Sequence, residues 1–533
     1  MKYFNTAGPV NRPDHYKVDP LSRWNLDEII SLINQEKYFI LHAPRQTGKT
    51  SSMLALRDYL NAEGKYLSEY VNIEPAQAAR NNVAGGLHAI LGLLSENIKK
   101  HIVSMNNYDP DYWKNIIKEH SEYEYLTAYL AYISQCSSKP FVLFIDEIDA
   151  LVGDTLVSVL RQIRSGYDKR PAAFPSTIVL CGVRDIQDYR IHRSNEDIIT
   201  GGSAFNIKAE SLRLGNFTID DVKNLYNQHT RETGQIFDDG CFDLIWKYTA
   251  GQPWLVNALA YEVTFKMTEN RDPKVIITPQ KIEEAKERLI LSRQTHLDQL
   301  ADKLSEDRVR RVILPMIMGE EEQVDKDDEQ YCYDLGLIRK TGKGFIISND
   351  IYREVIPREL TESRQNTFLS RFDPEWVNKD GSINSETMIT LFRDFWIENS
   401  DIWASHIKGY QEAAPQLVIQ AFLQRVANGS GYVAREYAAG RGRTDLMLKW
   451  KYLSDGEIKW QKIVIEIKTI NAKQNYDKIK TLALKQTSEY AVTCGADESH
   501  IFIFDRDEHL GWREKVFTDQ GDYNGISMKI WGM

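Results

Sequence analysis

The sequence Tyr38-Phe-Ile-Leu-His42, followed by Ala43-Pro-Arg-Gln-Thr-Gly-Lys-Thr50, decides the fold of the first part of the chain. The apolar segment predicts a buried strand, and the residues from Lys49 to Leu60 predict a helix. A Gly-Lys-Thr triplet between a strand and a helix is typical of a phosphate-binding loop. Backbone N–H groups surround the phosphates, the lysine reaches the β and γ oxygens, and the hydroxyl of Thr50 binds Mg²⁺. Ala43 replaces the usual first glycine, and its Cβ is small enough for the loop to form.

An acidic motif further along the chain completes the predicted ATP site. Phe141-Val-Leu-Phe-Ile145 predicts a second buried strand, and Asp146 and Glu147 follow it directly. Such a strand delivers Asp146 to the Mg²⁺ shell and places Glu147 to activate the attacking water. Taken alone, the pair also fits a core strand that ends in an exposed acidic turn. Arg184 follows the next predicted strand and is a candidate sensor of the γ-phosphate, although strand ends also carry arginine for solubility alone.

The order of predicted elements indicates several domains. Strands alternate with helices up to about residue 210, which predicts a parallel sheet covered on both faces. The expected fold class is α/β and multidomain: a P-loop parallel-sheet ATPase, a helical lid, a winged helix whose wing turns at Thr341-Gly-Lys-Gly344, and a C-terminal α/β domain. The predicted boundaries are 1–210 for the ATPase core, 211–298 for the lid, 299–362 for the winged helix, 363–400 for a linker and 401–533 for the last domain.

Composition limits the class of protein. Hydrophobic residues make up 42% of the chain and charged residues 27%, which is ordinary for a globular protein in water. The five cysteines lack metal-binding spacing, and the sequence shows neither a signal peptide nor a membrane span, so we expect a cytoplasmic protein. The net charge of −10 is the sum of −11 before residue 401 and +1 in the remainder, which carries 18 Lys and Arg against 17 Asp and Glu. A near-neutral last domain is compatible with a local basic patch.

Three short motifs resemble the AAA-like/STAND branch of P-loop ATPases, which includes archaeal-type ATPases and relatives of origin-recognition proteins. The motifs are Pro44-Arg-Gln-Thr-Gly-Lys-Thr-Ser51, Asp146-Glu-Ile-Asp149 and Gly251-Gln-Pro253. The resemblance covers residues 1–362 and implies an ATPase core, a helical lid and a winged helix. The nucleotide-binding positions that it implies are Ala43, Pro44, Arg45, Gln46, Thr47, Gly48, Lys49, Thr50, Ser51 and, from the lid, Pro253.

The same resemblance implies surroundings for the nucleotide and a mode of action. It places Phe4–Pro9 and Arg23 near the adenine, and it leaves Arg190 and Arg193 as candidates for an arginine finger. STAND-like ATPases commonly act as switches that assemble when they sense a trigger. The resemblance therefore implies a nucleotide-dependent homo-oligomer.

Asp445, Glu466 and Lys468 form a second candidate site. Glu466 and Lys468 are two residues apart on a predicted strand, so both side chains leave the same face. Ser454-Asp-Gly-Glu457 predicts a turn, and antiparallel pairing across it brings Asp445 against Glu466. Carboxylates that converge on Mg²⁺ and a lysine that positions water are the groups that phosphodiester hydrolysis needs. A solvated strand face is the alternative for these residues taken alone.

A later helix strengthens the second site. Gln486 and Tyr490 are four residues apart on it and share a face. With Asp445 and Glu466-Ile-Lys468, this Gln-x-x-x-Tyr pattern resembles the RecB-like subgroup of PD-(D/E)XK nucleases over residues 401–510. The usual proline before the aspartate is missing, which this class tolerates. The resemblance implies Mg²⁺ or Mn²⁺ as cofactor.

Three upstream residues are further candidates around this site. The nuclease resemblance implies Glu412, on a long predicted helix, as another acidic metal ligand. Arg441 and Arg443 lie beside Asp445 and are candidates for contacts to a phosphate backbone. The alternative is that they only pair with Glu436 or Asp445.

The two sites together predict an ATP-binding and ATP-hydrolysing, nucleotide-regulated, metal-dependent DNA endonuclease. The STAND resemblance implies a switch, and by analogy a role in bacterial defence against foreign DNA. The alternative function is a STAND-type signalling or DNA-binding switch whose C-terminal domain has the nuclease shape without activity. RNA as the substrate in place of DNA is also left open by these residues.

Overall fold

The computed structural model divides the chain into two compact units. The first unit is Met1–His296 with Lys326–Ile351, and the second is Leu297–Asp325 with Tyr352–Met533. The structure describes all residues except 1, 11–12, 102–104, 185–189, 193–197, 201–205, 293–294, 305, 319–323, 343, 357–375, 399–418, 420–421, 424–425, 427–430, 437–444, 455–456, 471–475 and 506–509. Only the backbone is described for 101, 190–192, 198–200, 291, 295, 298–299, 301, 317–318, 395, 398, 431–436, 445 and 512. Within the described part of the chain, no helix is long and apolar enough to cross a membrane.

Five parallel strands form the sheet of the first unit. They are β1 (Tyr38–His42), β2 (Leu67–Asn72), β3 (Phe141–Asp146), β4 (Thr177–Gly182) and β5 (Lys208–Arg213), in the order β2-β3-β4-β1-β5. Every residue of β1, β3 and β4 is buried, as expected of parallel strands with helices on both faces. The predicted parallel sheet is confirmed, and its last strand runs past the expected limit at residue 210 to Arg213.

Alternating side chains of β1 supply two separate cores. The helices on the two faces are α1 (Leu26–Asn34), α2 (Lys49–Glu63), α3 (Val83–His101), α4 (Tyr112–Glu119), α5 (Tyr125–Cys136) and α6 (Gly153–Ser165). Phe39 and Leu41 pack in the core with α1 and α2, whereas Tyr38 and Ile40 pack in the core with α3 to α6. Because successive side chains of a strand point to opposite faces, the apolar residues of β1 contribute to the cores on both sides of the sheet.

The first unit also contains shorter elements. They are the 3₁₀ turns Leu21–Arg23, Glu74–Ala79, Ile148–Ala150, Tyr167–Lys169 and Thr268–Asn270, and the antiparallel strand pair Arg190–His192 and Ile198–Thr200.

A helical layer follows the sheet within residues 211–298, the segment for which the sequence predicts a lid. Its helices are α7 (Ile219–Thr233), α8 (Cys241–Thr249), α9 (Pro253–Tyr261) and α10 (Pro279–Leu291), and Glu262–Lys266 extends α9 as a π-helical turn. Thr218 begins α7 through a capping box with Asp221, in which each side chain accepts a hydrogen bond from the other's backbone N–H. Two short paired strands, Tyr3–Phe4 and His15–Tyr16, pack against α7.

The predicted winged-helix segment, 299–362, is divided between the two units. Its elements are the end of α11 (Thr295–Leu304), then α12 (Asp307–Met318), α13 (Lys326–Asp334) and the hairpin of β6 (Ile338–Thr341) and β7 (Gly344–Ile347). Thr341 pairs with Gly344, so the hairpin turns where the sequence predicts it. α13 and the hairpin belong to the first unit, where Tyr331 and Tyr333 pack on arginines at the carboxyl ends of β4 and β5.

A mixed six-stranded sheet forms the second unit. Its strands are β8 (Gly431–Glu436), β9 (Asp445–Ser454), β10 (Glu457–Ile470), β11 (Glu498–Asp505), β12 (Thr518–Tyr523) and β13 (Ile526–Gly532), in the order β8-β9-β10-β11-β13-β12. β10 pairs antiparallel with β9 and parallel with β11. α14 (Ser385–Glu398) covers one face, α15 (Tyr476–Cys494) covers the other, and the short α16 (Trp512–Lys515) precedes β12. The predicted C-terminal α/β domain is therefore present.

We expect Gly251→Ala to destabilise the first unit. Gly251 has φ 71°, and an added Cβ would lie 2.1 Å from the carbonyl oxygen of Phe217. The left-handed backbone alone costs a non-glycine residue roughly 1–3 kcal/mol. Urea unfolding should show a lower midpoint for Gly251→Ala, whereas Gly215→Ala, where an added Cβ meets nothing within 4 Å, should unfold like the wild type. Equal midpoints for the two variants would contradict the argument.

Candidate functional site

The loop between β1 and α2 folds tightly on itself. Gly48 has φ 90° and comes directly before Lys49, the first residue of α2. The Lys49 ammonium donates hydrogen bonds to the carbonyl oxygens of Ala43 at 2.9 Å and Pro44 at 3.1 Å. The Thr47 hydroxyl donates to the Pro44 carbonyl at 2.7 Å. Ala43 is fully buried, so the residue in place of the first glycine is accommodated. This is the strand–loop–helix arrangement that the sequence predicts.

The remaining predicted loop residues differ in exposure. Arg45 and Gln46 are exposed at the turn of the loop, and Gln46 has a left-handed backbone with φ 57°. Ser51 is buried, and its hydroxyl accepts a hydrogen bond from the N–H of Val10 at 2.8 Å. The segment before β1 therefore contacts the first turn of α2. Its predicted place beside the adenine stays a prediction.

Asp146, at the end of β3, is fully buried and receives three hydrogen bonds. The Thr50 and Tyr70 hydroxyls each donate to Oδ2 at 2.8 Å, and the N–H of Glu147 donates to Oδ1 at 2.9 Å. The sequence predicts the meeting of Thr50 and Asp146 but not the part of Tyr70. Burial and the neighbouring Asp146 charge raise the pKa of Tyr70, so its hydroxyl stays protonated and donates. The Thr50 hydroxyl and the Asp146 carboxylate are oxygen donors of the kind that Mg²⁺ prefers.

Glu147 lies in a strained backbone conformation next to Asp146. Its φ of 60° is left-handed, which is uncommon for a residue with a side chain. Burial, followed by the charges of Asp149 and Asp146, raises the pKa of the Glu147 carboxyl. A carboxylate with a raised pKa is a stronger base, which is what activation of a water molecule needs.

Arg23 ties the phosphate-binding loop to the segment after β5. Its guanidinium donates to the carbonyl oxygens of Thr47 and Gly215, and it lies 4.9 Å from the centre of the Phe217 ring. Burial lowers the pKa of Arg23 to about 10, which leaves the group charged at neutral pH. A Cβ at Gly48 would lie 2.8 Å from the same guanidinium, so Gly48 gives Arg23 room to approach the loop.

The two other residues assigned to this site lie on separate elements. The guanidinium of Arg184 lies 4.9 Å from the centre of the Tyr331 ring of α13. Pro253 is buried in the first turn of α9, and Gln252 caps that helix by accepting a hydrogen bond from the N–H of Leu255. The side chain of Arg190 and the whole of Arg193 lie outside the described residues. Contact of these residues with nucleotide stays a prediction.

In the second unit, the predicted pairing of Asp445 with Glu466 is confirmed. The two residues are direct partners in the antiparallel register of β9 and β10, and Ser454 pairs with Glu457 at the predicted turn. Asp445 also pairs with Glu436 of β8, so three acidic residues occupy one row across three strands. Glu436 enters the sequence argument only as a partner for arginine. Glu436 joins the row only because β8 pairs with β9, and the sequence does not predict that pairing.

Lys468 connects Glu466 to α15. Glu466 is fully buried and forms an ion pair with Lys468, whose ammonium also donates to Gln486 Oε1 at 2.9 Å. Tyr490 packs with Met447 of β9 and Val464 of β10. Gln486 and Tyr490 therefore both face β10, as expected of two residues that share a face of α15.

Several predicted nuclease residues fall outside the described part of the chain. Glu412, Arg441 and Arg443 lie wholly outside it. Of Asp445, the backbone is described and the side chain is not. Among the described residues, no group of three or more His, Cys, Asp and Glu side chains is placed to hold a metal ion. The described donors at this site are thus too few to define a metal centre, and metal binding here stays a proposal.

The AAA-like domain family model matches residues 25–357. The chain belongs to this family. The match contains the phosphate-binding loop, Asp146, Glu147 and the helical layer with Pro253. The first unit is therefore an AAA-like domain of the P-loop ATPase type, which fits binding and hydrolysis of ATP.

Solved structures similar to this AAA-like protein include three proteins of low identity. One is the Walker-type ATPase PABY2304 of Pyrococcus abyssi, with 15% identity, a TM-score of 0.43, and coverage of 66% of this chain and 99% of that one. Another is Cdc6p from Pyrobaculum aerophilum, with 16% identity, a TM-score of 0.36, and coverage of 67% and 97%. A third is RuvB, the Holliday junction branch migration motor of Thermotoga maritima, with 16% identity, a TM-score of 0.32, and coverage of 62% and 94%. No curated protein matches the chain.

We expect Arg23→Ala to weaken both the stability and the nucleotide affinity of the AAA-like domain. The change removes a buried charged donor from two carbonyl groups, and hydrogen bonds to charged groups contribute about 1.5–3 kcal/mol each. Thermal unfolding and ATP titration of the full chain measure the two effects. Arg271→Ala is the matched control, because that arginine also lies over a ring and bonds one carbonyl group, but on an exposed turn of the helical layer. Similar losses in both variants would argue against a special role of Arg23.

Proposed function

We propose that this AAA-like protein binds and hydrolyses ATP and that its nucleotide state regulates a metal-dependent DNA endonuclease in the second unit. The observation that carries the nuclease half is the strand register that pairs Asp445 with Glu466, two residues before Lys468. Adjacent strands lie about 4.8 Å apart, which brings the two acidic positions and the lysine into one place on the sheet. The AAA-like domain on the same chain supplies the regulator.

The ATPase half assigns a separate task to each group around Asp146. Lys49 binds the β and γ phosphates, and the Thr50 hydroxyl with the Asp146 carboxylate holds Mg²⁺. The ion, when bound, neutralises negative charge on the phosphates. Glu147 accepts a proton from the attacking water, for which its raised pKa suits it. Arg184 is the proposed sensor of the γ-phosphate.

The nuclease half uses the row of Asp445 and Glu466. These two residues, with Glu412, would hold Mg²⁺ or Mn²⁺, which supplies the Lewis acid for phosphodiester hydrolysis. Lys468 orients the attacking water, and the direction of its ammonium is fixed by Glu466 and Gln486. The packing of Tyr490 holds α15 against β9 and β10 and so keeps Gln486 within reach of Lys468.

Contacts of α13 with the phosphate-binding loop support regulation by nucleotide. A Cβ at Gly336, just after α13, would lie 2.7 Å from Pro44 Cγ. The end of α13 is therefore in close contact with the phosphate-binding loop. Arg213 donates to the hydroxyl of Tyr333 at 3.2 Å and to its carbonyl at 3.1 Å. A rearrangement of the loop around phosphate therefore changes what α13 packs against. This is the first step by which we propose that nucleotide is sensed.

A STAND-type switch with an inactive nuclease-like domain is the second candidate function. The burial of Glu466 and its ion pair with Lys468 favour it, because such a pair also holds a sheet together without catalysis. ATP-dependent signalling or DNA binding would then be the output. Cleavage assays separate the two candidates.

The surroundings of this activity complete the proposal. We place the protein in the cytoplasm, acting on DNA, with nucleotide-dependent self-association and a role in defence against foreign DNA. The STAND resemblance supports the last two points. RNA is the competing substrate, and the assay below includes it.

Replacing Glu147 should stop hydrolysis without stopping binding. We expect Glu147→Gln to lower ATP turnover by about 100-fold or more with ATP affinity kept, because general-base catalysis contributes about 10²–10⁴-fold. Lys49→Ala should weaken both ATP binding and ATP turnover.

ATP turnover by the wild type should fall as the pH decreases, since only the ionised Glu147 carboxylate is a base. Because the pKa of Glu147 is raised, the fall should begin above the usual pH range for glutamate. Asp149→Asn removes one of the charges that raise this pKa, so it should move the acid limb to lower pH. If Asp149→Asn leaves the acid limb of the pH profile unchanged, the limb belongs to a group other than Glu147.

Replacing Lys468 or Asp445 should stop cleavage and leave ATP turnover intact. We expect Lys468→Ala and Asp445→Ala each to lower plasmid nicking by roughly 100-fold or more, since each removes a group that acts on the reacting atoms. The assay uses single- and double-stranded DNA and RNA with Mg²⁺ or Mn²⁺, and with ATP, a non-hydrolysable analogue or no nucleotide. Lys480→Ala is the control, because that lysine lies on the same helix as Gln486 and pairs with Asp519. Intact cleavage in both variants would refute the nuclease assignment.

A further inference from the structure

The hairpin of β9 and β10 carries an exposed face of mixed lysine and apolar residues. We call it the hairpin face; its residues are Lys449, Lys451, Leu453, Ile458, Trp460 and Lys462. They form three cross-strand pairs, Lys449 with Lys462, Lys451 with Trp460, and Leu453 with Ile458. Leu453 is 66% exposed, Ile458 59% and Trp460 47%, which is unusual for large apolar side chains on a sheet.

The hairpin face lies on the same side of the sheet as Glu466 and Lys468. Side chains alternate along a strand, so the even-numbered residues of β10 from Ile458 to Lys468 share one side. On this side α15 covers the strands near Glu466, and the cover ends at Lys462, whose ammonium donates to the carbonyl of Cys494, the last residue of α15. The hairpin face therefore begins where α15 ends and continues to the tip.

The opposite side of the hairpin is covered around Trp450 and Gln461. Trp450 Nε1 donates to the Gly381 carbonyl at 2.8 Å. Gln461 exchanges hydrogen bonds with the backbone of Ile383, at 2.8 Å and 2.9 Å. The exposure of the apolar residues is thus confined to the side that carries Glu466 and Lys468.

The charges of the hairpin face favour a polyanion. It contains three lysines, and none of its six residues is acidic. Lys451 is exposed, and it is the direct cross-strand partner of Trp460. Lysine is depleted at the centre of protein–protein interfaces, whereas here three of the six residues are lysines and they lie next to the apolar residues of the tip. Lysine beside an exposed aromatic ring is the combination that binds phosphate and stacks on bases in single-strand-binding proteins.

We propose that the hairpin face is a DNA-docking surface that leads a strand toward the Glu466 site, an inference that rests on the proposed nuclease function. Lys451 contacts phosphate, Trp460 stacks on a base, and Leu453 with Ile458 inserts between bases at the tip. Trp460 is six residues before Glu466 on β10, a distance of roughly 20 Å at about 3.3 Å per residue.

Binding assays on matched lysines test the docking surface. The probe is a short labelled DNA, as a duplex and as a single strand, titrated with the full chain in Ca²⁺ so that binding is measured without cutting. We expect Trp460→Ala to lower the affinity by roughly ten-fold through lost stacking. Lys451→Gln should weaken binding and lower the slope of log affinity against log salt by about one unit. Lys459→Gln is the control: it is on the same hairpin but on the opposite side, bonded to Ser454 Oγ.

Further measurements make each outcome decisive. ATP turnover and thermal unfolding check that the variants fold. Equal loss of affinity in Lys451→Gln and Lys459→Gln, or full affinity in Trp460→Ala, overturns the docking surface. If Lys468→Ala stops cleavage while the hairpin variants bind like the wild type, the nuclease stands and the docking surface falls. If the wild type neither binds nor cuts DNA, both fall. If Trp460→Ala loses self-association but keeps its DNA affinity, the hairpin face is a contact between copies of the chain and the DNA-docking proposal is wrong. If the wild type binds RNA more tightly than DNA, the proposed substrate is wrong.

Discussion

The buried carboxylate of Asp146 is the constraint on which the first unit depends. An ionised carboxylate is costly to remove from water unless donors surround it. Its three donors come from different places: Thr50 from α2, Tyr70 from β2, and the N–H of Glu147 from the residue after β3. Because all three must stay in position, one charge fixes the start of α2 against the carboxyl edge of the sheet. The phosphate-binding loop, with Lys49, is fixed by the same bonds.

The second unit uses a buried carboxylate in a different way. Glu466 is in the middle of a long strand, and Lys468 on the same strand offsets its charge. Gln486 then orients the lysine from α15, so the ion pair also sets where the helix lies. A buried ion pair is weak support for stability by itself, because desolvation opposes the attraction. Its place in a row with Asp445 and Glu436 is what makes the site chemically distinctive.

Sequence reasoning recovers the parts of both sites that are encoded locally. The loop before α2, the acidic end of β3, the turn between Ser454 and Glu457 and the shared face of Gln486 and Tyr490 each follow from spacing over a few residues. The sequence does not predict the contacts of Tyr70 and Arg23. Tyr70 belongs to a strand with mixed polar residues, and nothing in that pattern marks it until β2 lies beside β3. Arg23 reaches Thr47 only because the segment before β1 folds back over the loop.

By itself the sequence determined the α/β class, the phosphate-binding loop and the register of the β9–β10 hairpin, since side-chain alternation and turn chemistry act between near neighbours in the chain. The tertiary structure decided which distant groups meet. The order β2-β3-β4-β1-β5 brings Tyr70 to Asp146, and the packing of α13 brings Tyr331 to Arg184 and Gly336 to Pro44. Strand order and helix docking depend on the summed burial of whole segments, and no short stretch of sequence carries that sum.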